Sequence, residues 1–391
     1  MPRIFLDGEA IDALPEDTVA AALLRAGVTT FTRSIKYHRP RGPFCLAGSC
    51  GQCLMRVDGV PSLPACRVPA AEGMRCERQN APLGVERDLF RAADFLFPEG
   101  LDHHHLLTGS RLLGRVALEV ARRLAGLGEL PDRVHAPAPG ELRVVELAIV
   151  GAGPAGLAAA RAAGPRAVLL ERESRAGGAE LLFGTPRLDP RPTGLLLDAE
   201  CVGLYANDTT IPGNALLAVR HRDRLLCIVA ERVIVASGGV SQPLPFPGGD
   251  RPGVYAARGL LGLGVLVGRK LAVAGEGAEL QRCAEALSNR GYDIALVAGV
   301  PRRALGNPVK ALDTADGTRI RCDAVAIALP PAPLHELASS AGAQARFDGT
   351  GFPVETDAEG RTSVPWLFAA GTAAGKPASA SGEIAGSAAC R

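Results

Sequence analysis

Cys45, Cys50 and Cys53 stand at the spacing C-x4-C-x2-C, and Cys66 follows after twelve further residues. That spacing is the one by which plant-type [2Fe-2S] proteins hold their irons. The loop that carries it contains Gly42, Gly48 and Gly51, and only a tightly wound chain can point backbone N–H groups at cluster sulfurs. A structural zinc site ordinarily shows two Cys-x-x-Cys knuckles, and here there is one. Disulfides are disfavoured in a chain without an export signal, and four unrelated reduced cysteines would not fall at this spacing by chance. The expected metal ligands are therefore Cys45, Cys50, Cys53 and Cys66, with Cys76 a buried thiol outside the set.

A second chemistry is written between Val145 and Glu171, VELAIVGAGPAGLAAARAAGPRAVLLE. An apolar strand runs into Gly151, Gly153 and Gly156, then a helix, then a strand ending in an acid. Gly151 permits the tight turn, Gly153 lets backbone approach a pyrophosphate, and Gly156 lets helix pack on strand. The helix start offers unpaired N–H groups to the anion. Glu171, twenty residues after Gly151, is placed for a ribose 2′-hydroxyl. The fingerprint by itself leaves FAD and NAD both open.

The chain around these motifs has 391 residues, 47% of them hydrophobic, enough for two or three domains with ample cores. A net charge of +2 indicates no nucleic-acid field. Lysine occurs only at 36, 270, 310 and 376, and the excess of arginine reads as compositional bias. The N-terminus carries acids and lacks an apolar h-region, so no secretory signal is expected. No apolar stretch approaches the roughly 20 residues of a membrane span. Before the cysteines, Arg3 to Leu6, Asp7-Gly8 and Glu9 to Leu14 read as a hairpin, and Asp17 or Thr18 caps a helix through Arg25 that ends before Gly27. This is how a small β-grasp domain starts. The basic run Arg33 to Gly42 is either a solvated loop or a docking surface or field beside the cluster. Arg111 to Ala125 reads as an amphipathic helix, followed by a Pro/Gly linker to Gly140. His103, His104 and His105 are adjacent and cannot share a helix face, which favours a structural role over a metal site.

Beyond the first fingerprint, Gly177-Gly178 offers either a close backbone approach or a plain turn. Glu200 to Gly203 sits where a strand would pass an adenine, or is simply a core strand. Arg232 to Ala236 is a buried-type strand leading into Ser237-Gly238-Gly239. From Lys270 a second fingerprint begins, KLAVA then Gly275-Glu276-Gly277, a helix to Arg290 and the strand Ile294 to Val297. It is degraded: Leu280 replaces the third glycine, Glu276 and Glu279 bring negative charge to the pyrophosphate position, and the second strand ends without an acid. Arg302 and Arg303 would suit a 2′-phosphate or a plain surface equally. The strand Val364 to Ala370 then leads to Gly371-Thr372 and a C-terminal helix.

This order of parts resembles the two-dinucleotide-domain flavoproteins of glutathione and thioredoxin reductase type, over Val145 to Arg391. The resemblance implies an α/β fold in which the first unit holds FAD. Ala236-Ser237-Gly238 stands at that family's Ala-Thr-Gly motif, and Gly371-Thr372 at its Gly-Asp motif, where threonine removes a charge. The implied cofactor-binding set is Gly151, Gly153, Pro154, Ala155, Gly156, Glu171, Arg172, Gly178, Ala179, Val202, Ala236, Ser237, Gly238, Gly371 and Thr372. No Cys-x-x-Cys occurs after Cys53, which argues against a dithiol reductase.

The run RSIKYHRPRGPFCLAGSCGQCLMRVDGVPSLPAC, the connector ending LAGLGELPD and the fingerprint after it are similar to the α subunits of bacterial heteromeric amine and imino-acid dehydrogenases, the group of sarcosine oxidase, proline and hydroxyproline dehydrogenases, opine oxidases and hydrogen cyanide synthase. The fold implied is a glutathione reductase-like FAD/NAD(P)-binding fold with an N-terminal β-grasp [2Fe-2S] ferredoxin-like domain. The divisions expected are a cluster domain over 1–85, a helical connector over 86–143, an FAD-binding domain over 144–262 and 331–391, and a degenerate NAD(P)-like domain over 263–330. With the sequence ending at Arg391, no C-terminal ferredoxin-like or aminomethyltransferase-like domain is expected.

The function implied is electron transfer. A glycine-oxidase-like flavoprotein β subunit, with or without further small subunits, oxidises proline, hydroxyproline, sarcosine or an opine, and this chain passes the electrons through FAD and the [2Fe-2S] cluster to a downstream acceptor. Four retained cysteines point to a dehydrogenase more than to an oxidase. The resemblance leaves open an FMN at a subunit interface, while the damaged second fingerprint speaks against NAD(P). No motif supplies a paired histidine and carboxylate for amine oxidation in this chain. The alternatives are an NAD(P)H-dependent flavin/iron-sulfur reductase and a non-catalytic scaffold with a vestigial flavin site, for which Thr372 speaks. A cytoplasmic location is expected, with membrane association only through partners.

Overall fold

The computed structural model describes residues 1–34, 39–79, 114–115, 139–184 and 194–391. The histidine run 103–105, nearly all of the 111–125 helix, the linker up to Ala138 and part of the 33–42 basic run lie outside the described residues. The chain divides into two compact units, one formed by 1–134 and 243–329, the other by 135–242 and 330–391.

In the first unit, Arg3–Leu6 and Glu9–Asp12 pair antiparallel across a turn in which both Asp7 and Gly8 have positive φ. That geometry suits the right-handed twist of the flanking strands. Arg3–Leu6 also pairs in parallel with Arg75–Arg78, which continues to Leu54–Val57 and Val60–Pro64, completing a five-stranded mixed sheet of β-grasp type. The helix Val19–Arg25 lies beside it, with six of its seven residues buried. Thr18 is the N-cap, its Oγ accepting the Ala21 N–H at 3.2 Å. Asp17 instead pairs with Arg25 at 2.8 Å and accepts the Leu14 N–H, tying the helix end to the hairpin.

The same unit contains a parallel sheet in the order Val254–Ala256, Ala324–Ala328, Lys270–Gly275, Asp293–Ala298. The helix Gly277–Asn289 follows Lys270–Gly275, and the three-stranded sheet Arg303–Gly306, Val309–Asp313, Arg319–Arg321 is inserted before Ala324–Ala328. The second dinucleotide-like fold therefore begins before residue 263, because Val254–Ala256 finds its parallel partner in Ala324–Ala328. Its core is shared with the cluster-bearing loop: Phe44 and Cys45 are buried in one apolar cluster with Val254, Ala256, Ala274 and Ile327.

The second unit is built on a sheet of Leu195–Leu196, Ala167–Leu170, Gly140–Val150, Arg224–Val235, Ala215–His221 and Ala199–Ala206, with Leu367–Ala369 pairing in parallel to Arg224–Val235. Leu147 to Val150 run buried on both faces, as parallel central strands do. The helices Pro154–Ala163 and Ala378–Ala389 pack against one another, and an added Cβ at Gly382 or Gly386 would collide with the carbonyl oxygens of Ala155 or Ala159.

Candidate functional site

In the first unit the four cysteines converge. Cys45, Cys53 and Cys66 are buried and Cys50 is half-buried. The chain winds around them through left-handed Leu46, Gly48 and Gly51. In that winding the N–H groups of Ala47, Ser49 and Cys50 point at Cys45 Sγ at 3.4, 3.2 and 3.3 Å, and Gly48 N–H points at Cys66 Sγ at 3.2 Å. Four donors aimed at two sulfurs form the environment that stabilises negative charge on thiolates.

The four thiols share hydrogen bonding, Cys45 with Cys50 and Cys66, and Cys53 with Cys66, which pulls Cys45 and Cys53 below the ordinary thiol range and pushes Cys50 and Cys66 above it. Among the described residues no three His, Cys, Asp or Glu side chains form a single-ion site. A two-iron cluster asks for something else, a pair of protein ligands on each iron. Arg67, next to Cys66, lays its side chain across Gly48, where an added Cβ would stand 2.8 Å from Arg67 Cγ. Cys76 is buried elsewhere, its thiol pushed up to about 11 by burial and by Asp58 and Asp7.

In the second unit the glycine turn is closed from three sides. Gly151 has φ +102°, and a Cβ there would strike the carbonyl oxygen of Ala236. A Cβ on Gly156 would strike the carbonyl oxygen of Gly151. The Gly177-Gly178 segment crosses the turn: Gly177 N–H donates to Ala152 O at 2.8 Å, and a Cβ on Gly178 would lie 2.9 Å from Gly153 Cα. Helix Pro154–Ala163 starts at Gly153 with no side-chain cap and Pro154 in its first turn, so the orphan N–H groups of that end are left for an anion. Glu171 is buried at 6% exposure. Its Oε2 accepts Ala152 N–H at 2.8 Å and its Oε1 accepts Glu173 N–H at 3.0 Å. Burial raises its pKa, a shift those two bonds offset in part.

Ala236-Ser237-Gly238 and Gly371-Thr372 arrive at the same end of the sheet from neighbouring parallel strands. Ser237 Oγ donates to Leu334 O at 2.7 Å, and Leu334 N–H returns a bond to Gly238 O at 3.0 Å. Gly371 N–H donates to Ser381 Oγ at 2.9 Å, and the Thr372 methyl packs against Gly239. The carboxyl ends of parallel strands, where these residues gather, are where such folds bind ligands. Val202 is different. It sits at a β-bulge between Cys201 and Gly203, 58% exposed. Arg172 is exposed and paired with Glu173 at 3.2 Å, and Ala179 is exposed on the short helical turn Gly178–Leu182.

In the second dinucleotide-like fold, Glu279 forms a nearly buried bidentate pair with Arg258, at 2.6 and 3.0 Å. Burial pushes its carboxyl up, but Arg258, with Cys283 and Arg282 adding to it, brings the net shift downward. Arg303, one candidate for a 2′-phosphate, is instead paired with Asp313 at 2.8 Å. Sequence reading found neither partner, since each is fixed by strands paired far along the chain. Ser381 and Leu334, which hold the two motif loops, gave no sequence signal either.

Residues 2–81 match the 2Fe-2S iron-sulfur cluster binding domain family. The chain is 29% identical over 288 residues to sarcosine oxidase subunit alpha of Rhizobium meliloti, an alignment covering 64% of this chain and 29% of that protein. It is 32% identical over 77 residues to hydrogen cyanide synthase subunit HcnA of Pseudomonas aeruginosa, covering 20% of this chain and 73% of that one. Among solved structures, L-proline dehydrogenase from P. horikoshii superposes with a TM-score of 0.74 at 23% identity, over 98% of this chain and 72% of that chain. The chain thus spans less than a third of its sarcosine oxidase relative, and the structural match establishes the fold: a two-dinucleotide-domain α/β fold with an N-terminal 2Fe-2S domain. No helix among the described residues is long and apolar enough to cross a membrane.

Proposed function

We propose that this chain, which is similar in sequence to sarcosine oxidase subunit alpha and to HcnA and carries a 2Fe-2S domain, is a member of the α-subunit group of bacterial heteromeric amine and imino-acid dehydrogenases and the electron-transferring subunit of such an assembly. The substrate, of the proline, hydroxyproline, sarcosine or opine class, is oxidised on a partner flavoprotein subunit of glycine-oxidase type. The observation that carries this reading is the cysteine loop, in which four backbone N–H groups are aimed at Cys45 and Cys66 in a chain that also has an intact dinucleotide turn.

Cys45, Cys50, Cys53 and Cys66 fit a [2Fe-2S] cluster by their number, their burial and those donors. Gly151, Gly153, the uncapped helix start at Pro154 and Glu171 fit FAD: the helix end would hold the pyrophosphate and the carboxylate would accept from the ribose. Ala236-Ser237-Gly238 and Gly371-Thr372 complete that cradle. When bound, FAD accepts electrons in pairs and the cluster carries one at a time, which lets a two-electron oxidation feed a one-electron acceptor. The Arg258–Glu279 pair in the second dinucleotide-like fold puts a carboxylate in the first helical turn, where a nicotinamide cofactor would bring phosphates; this supports electron entry from a partner subunit over reduction by NAD(P)H.

The test is to purify the chain with its native partners and alone. The complex is expected to contain FAD, iron and acid-labile sulfide and to reduce a one-electron dye on addition of its amine. The isolated chain is expected to keep both cofactors yet show no bleaching of its flavin by proline, sarcosine or an opine. Rapid bleaching of the isolated chain by an amine, or stoichiometric reduction by NADH or NADPH, overturns the assignment.

A further inference from the structure

The cysteine loop is seated on the second dinucleotide-like fold, within the first unit. Gly259, on the helix Ala257–Leu263, faces it so closely that an added Cβ would strike the Cys45 carbonyl oxygen and stand 3.1 Å from Leu46 Cβ. Just before that helix, Ala256 N–H donates to Phe44 O at 2.9 Å. Gly42 approaches Pro252, and Arg39 pairs with Asp250 at 3.3 Å. Phe44 and Cys45 are buried in the core of that fold. Next to Gly259, Arg258 is gripped by Glu279 from the first turn of Gly277–Asn289.

We infer that the second dinucleotide-like fold serves as the seat of the iron-sulfur loop, with Gly259 the positioning residue for Cys45 and the Arg258–Glu279 pair the clamp that fixes the helix bearing it. The peptide that Gly259 contacts lies directly before left-handed Leu46. From there the chain turns so that the N–H groups of Ala47, Ser49 and Cys50 point at Cys45 Sγ. Displacing the Cys45 carbonyl therefore loosens three donors to one ligand sulfur at once. Fewer or longer N–H bonds to sulfur stabilise the reduced, more negative cluster less and lower its potential. The residues that spoil this fold as a nucleotide site thus acquire a role of their own: Glu279 holds Arg258, and Arg258 holds the surface on which the cluster rests.

The inference rests on the cluster reading above, and the experiment separates the two. In the full chain, Gly259→Ala and Glu279→Gln are compared with the parent by iron and sulfide content, by electron paramagnetic resonance of the dithionite-reduced protein, and by potentiometric titration of cluster and flavin separately. A parent without iron and sulfide defeats the cluster reading itself. With a loaded parent, Gly259→Ala is expected to change the cluster g-values and shift its reduction equilibrium at least tenfold toward the oxidised form, about 59 mV for one electron, while the flavin potential stays put. Glu279→Gln, which leaves the loop's own contacts intact, is expected to move the cluster in the same direction by less. Should Gly259→Ala not fold, Glu279→Gln decides. A loaded variant with the parent's g-values and cluster potential overturns the inference, as does an equal shift of flavin and cluster.

Discussion

Glu171 Oε2 accepts the Ala152 N–H at 2.8 Å, so the acid that ends the second strand of the first dinucleotide unit is anchored on the glycine turn that follows its first strand. The carboxyl is buried, and burial raises its pKa against the two backbone bonds it accepts. A carboxyl with a raised folded pKa contributes stability that is full below its unfolded value, roughly 4.3, and is lost as pH rises through the folded value. If the ribose hydroxyls donate to the ionised carboxylate, FAD affinity of the flavin-free chain is expected to rise as pH passes through the raised folded value of Glu171, and Glu171→Gln to flatten that rise and weaken binding about tenfold at neutral pH, near 1.4 kcal/mol. Titration by flavin fluorescence at a series of pH values checks this, and a flat profile for the parent rules it out.

Among the cysteines the expected contrast is between set and outsider. Replacing any one of Cys45, Cys50, Cys53 or Cys66 by serine is expected to abolish the cluster's visible absorption and paramagnetic signal. Cys76→Ser is expected to keep both. Because burial pushes the Cys76 thiol up to about 11, it should also resist iodoacetamide at pH 8 in the folded protein. Loss of the cluster in Cys76→Ser would mean that the ligand set has been misassigned.

The contact between helices Pro154–Ala163 and Ala378–Ala389 leaves no room at Gly386, where a Cβ would meet the carbonyl oxygen of Ala159. Gly386→Ala should destabilise the second unit by about 1–3 kcal/mol through overpacking and release FAD more readily, with the cluster signal unchanged. Thermal unfolding followed by flavin release gives the answer. Equal loss of cluster and flavin would contradict it.

Asp313 is the shared acceptor of Arg319 and Arg303, and these two guanidiniums hold its carboxyl well below the ordinary range. A depressed folded pKa means stability present above the unfolded value of about 3.9 and lost as pH falls through the folded one. Asp313→Asn is accordingly expected to destabilise the first unit at pH 7 and to reduce its further loss of stability on acidification below pH 4. Both arginines are about half exposed, so added salt should shrink the difference. Chemical denaturation at pH 7 and pH 3, in low and high salt, measures it; parallel curves for parent and variant would refute the prediction.

The parts of the fold that could be read from sequence are those whose cause is local. The cysteine spacing, the Gly151–Gly153–Gly156 turn and the Asp7-Gly8 hairpin turn each lie within a few residues of what they act on. The order of parts along the chain suggested the two-dinucleotide-domain fold, and the structural match agrees with that fold. What could not be read is made by distant chain segments. Val254–Ala256 looks like any short apolar stretch until Ala324–Ala328 pairs with it, and that pairing starts the second fold ahead of residue 263. Glu279 read as a charge against phosphate, and only the return of Arg258 to the same helix end shows that it is already satisfied. Asp17 and Thr18 were equivalent as caps in sequence; the Arg25 guanidinium claims the carboxylate and leaves the hydroxyl for the helix. The bulge beside Val202, which turns its side chain to solvent, is likewise set by the pairing of Ala199–Ala206 with Ala215–His221.

The packing of Ala378–Ala389 on Pro154–Ala163 also sets a timetable for biosynthesis. The helix that follows the glycine turn emerges from the ribosome long before the helix that backs it, with the whole inserted second fold translated in between. Until then Gly371 and Thr372 are missing and the face of Ala155 and Ala159 has nothing against it. The nascent chain can close its N-terminal hairpin early, but the flavin cradle waits for a contact of high sequence separation, the kind that forms late. On the proposed reading, capture of FAD would wait until Ala378–Ala389 has been translated, long after the cysteines of the iron-sulfur loop.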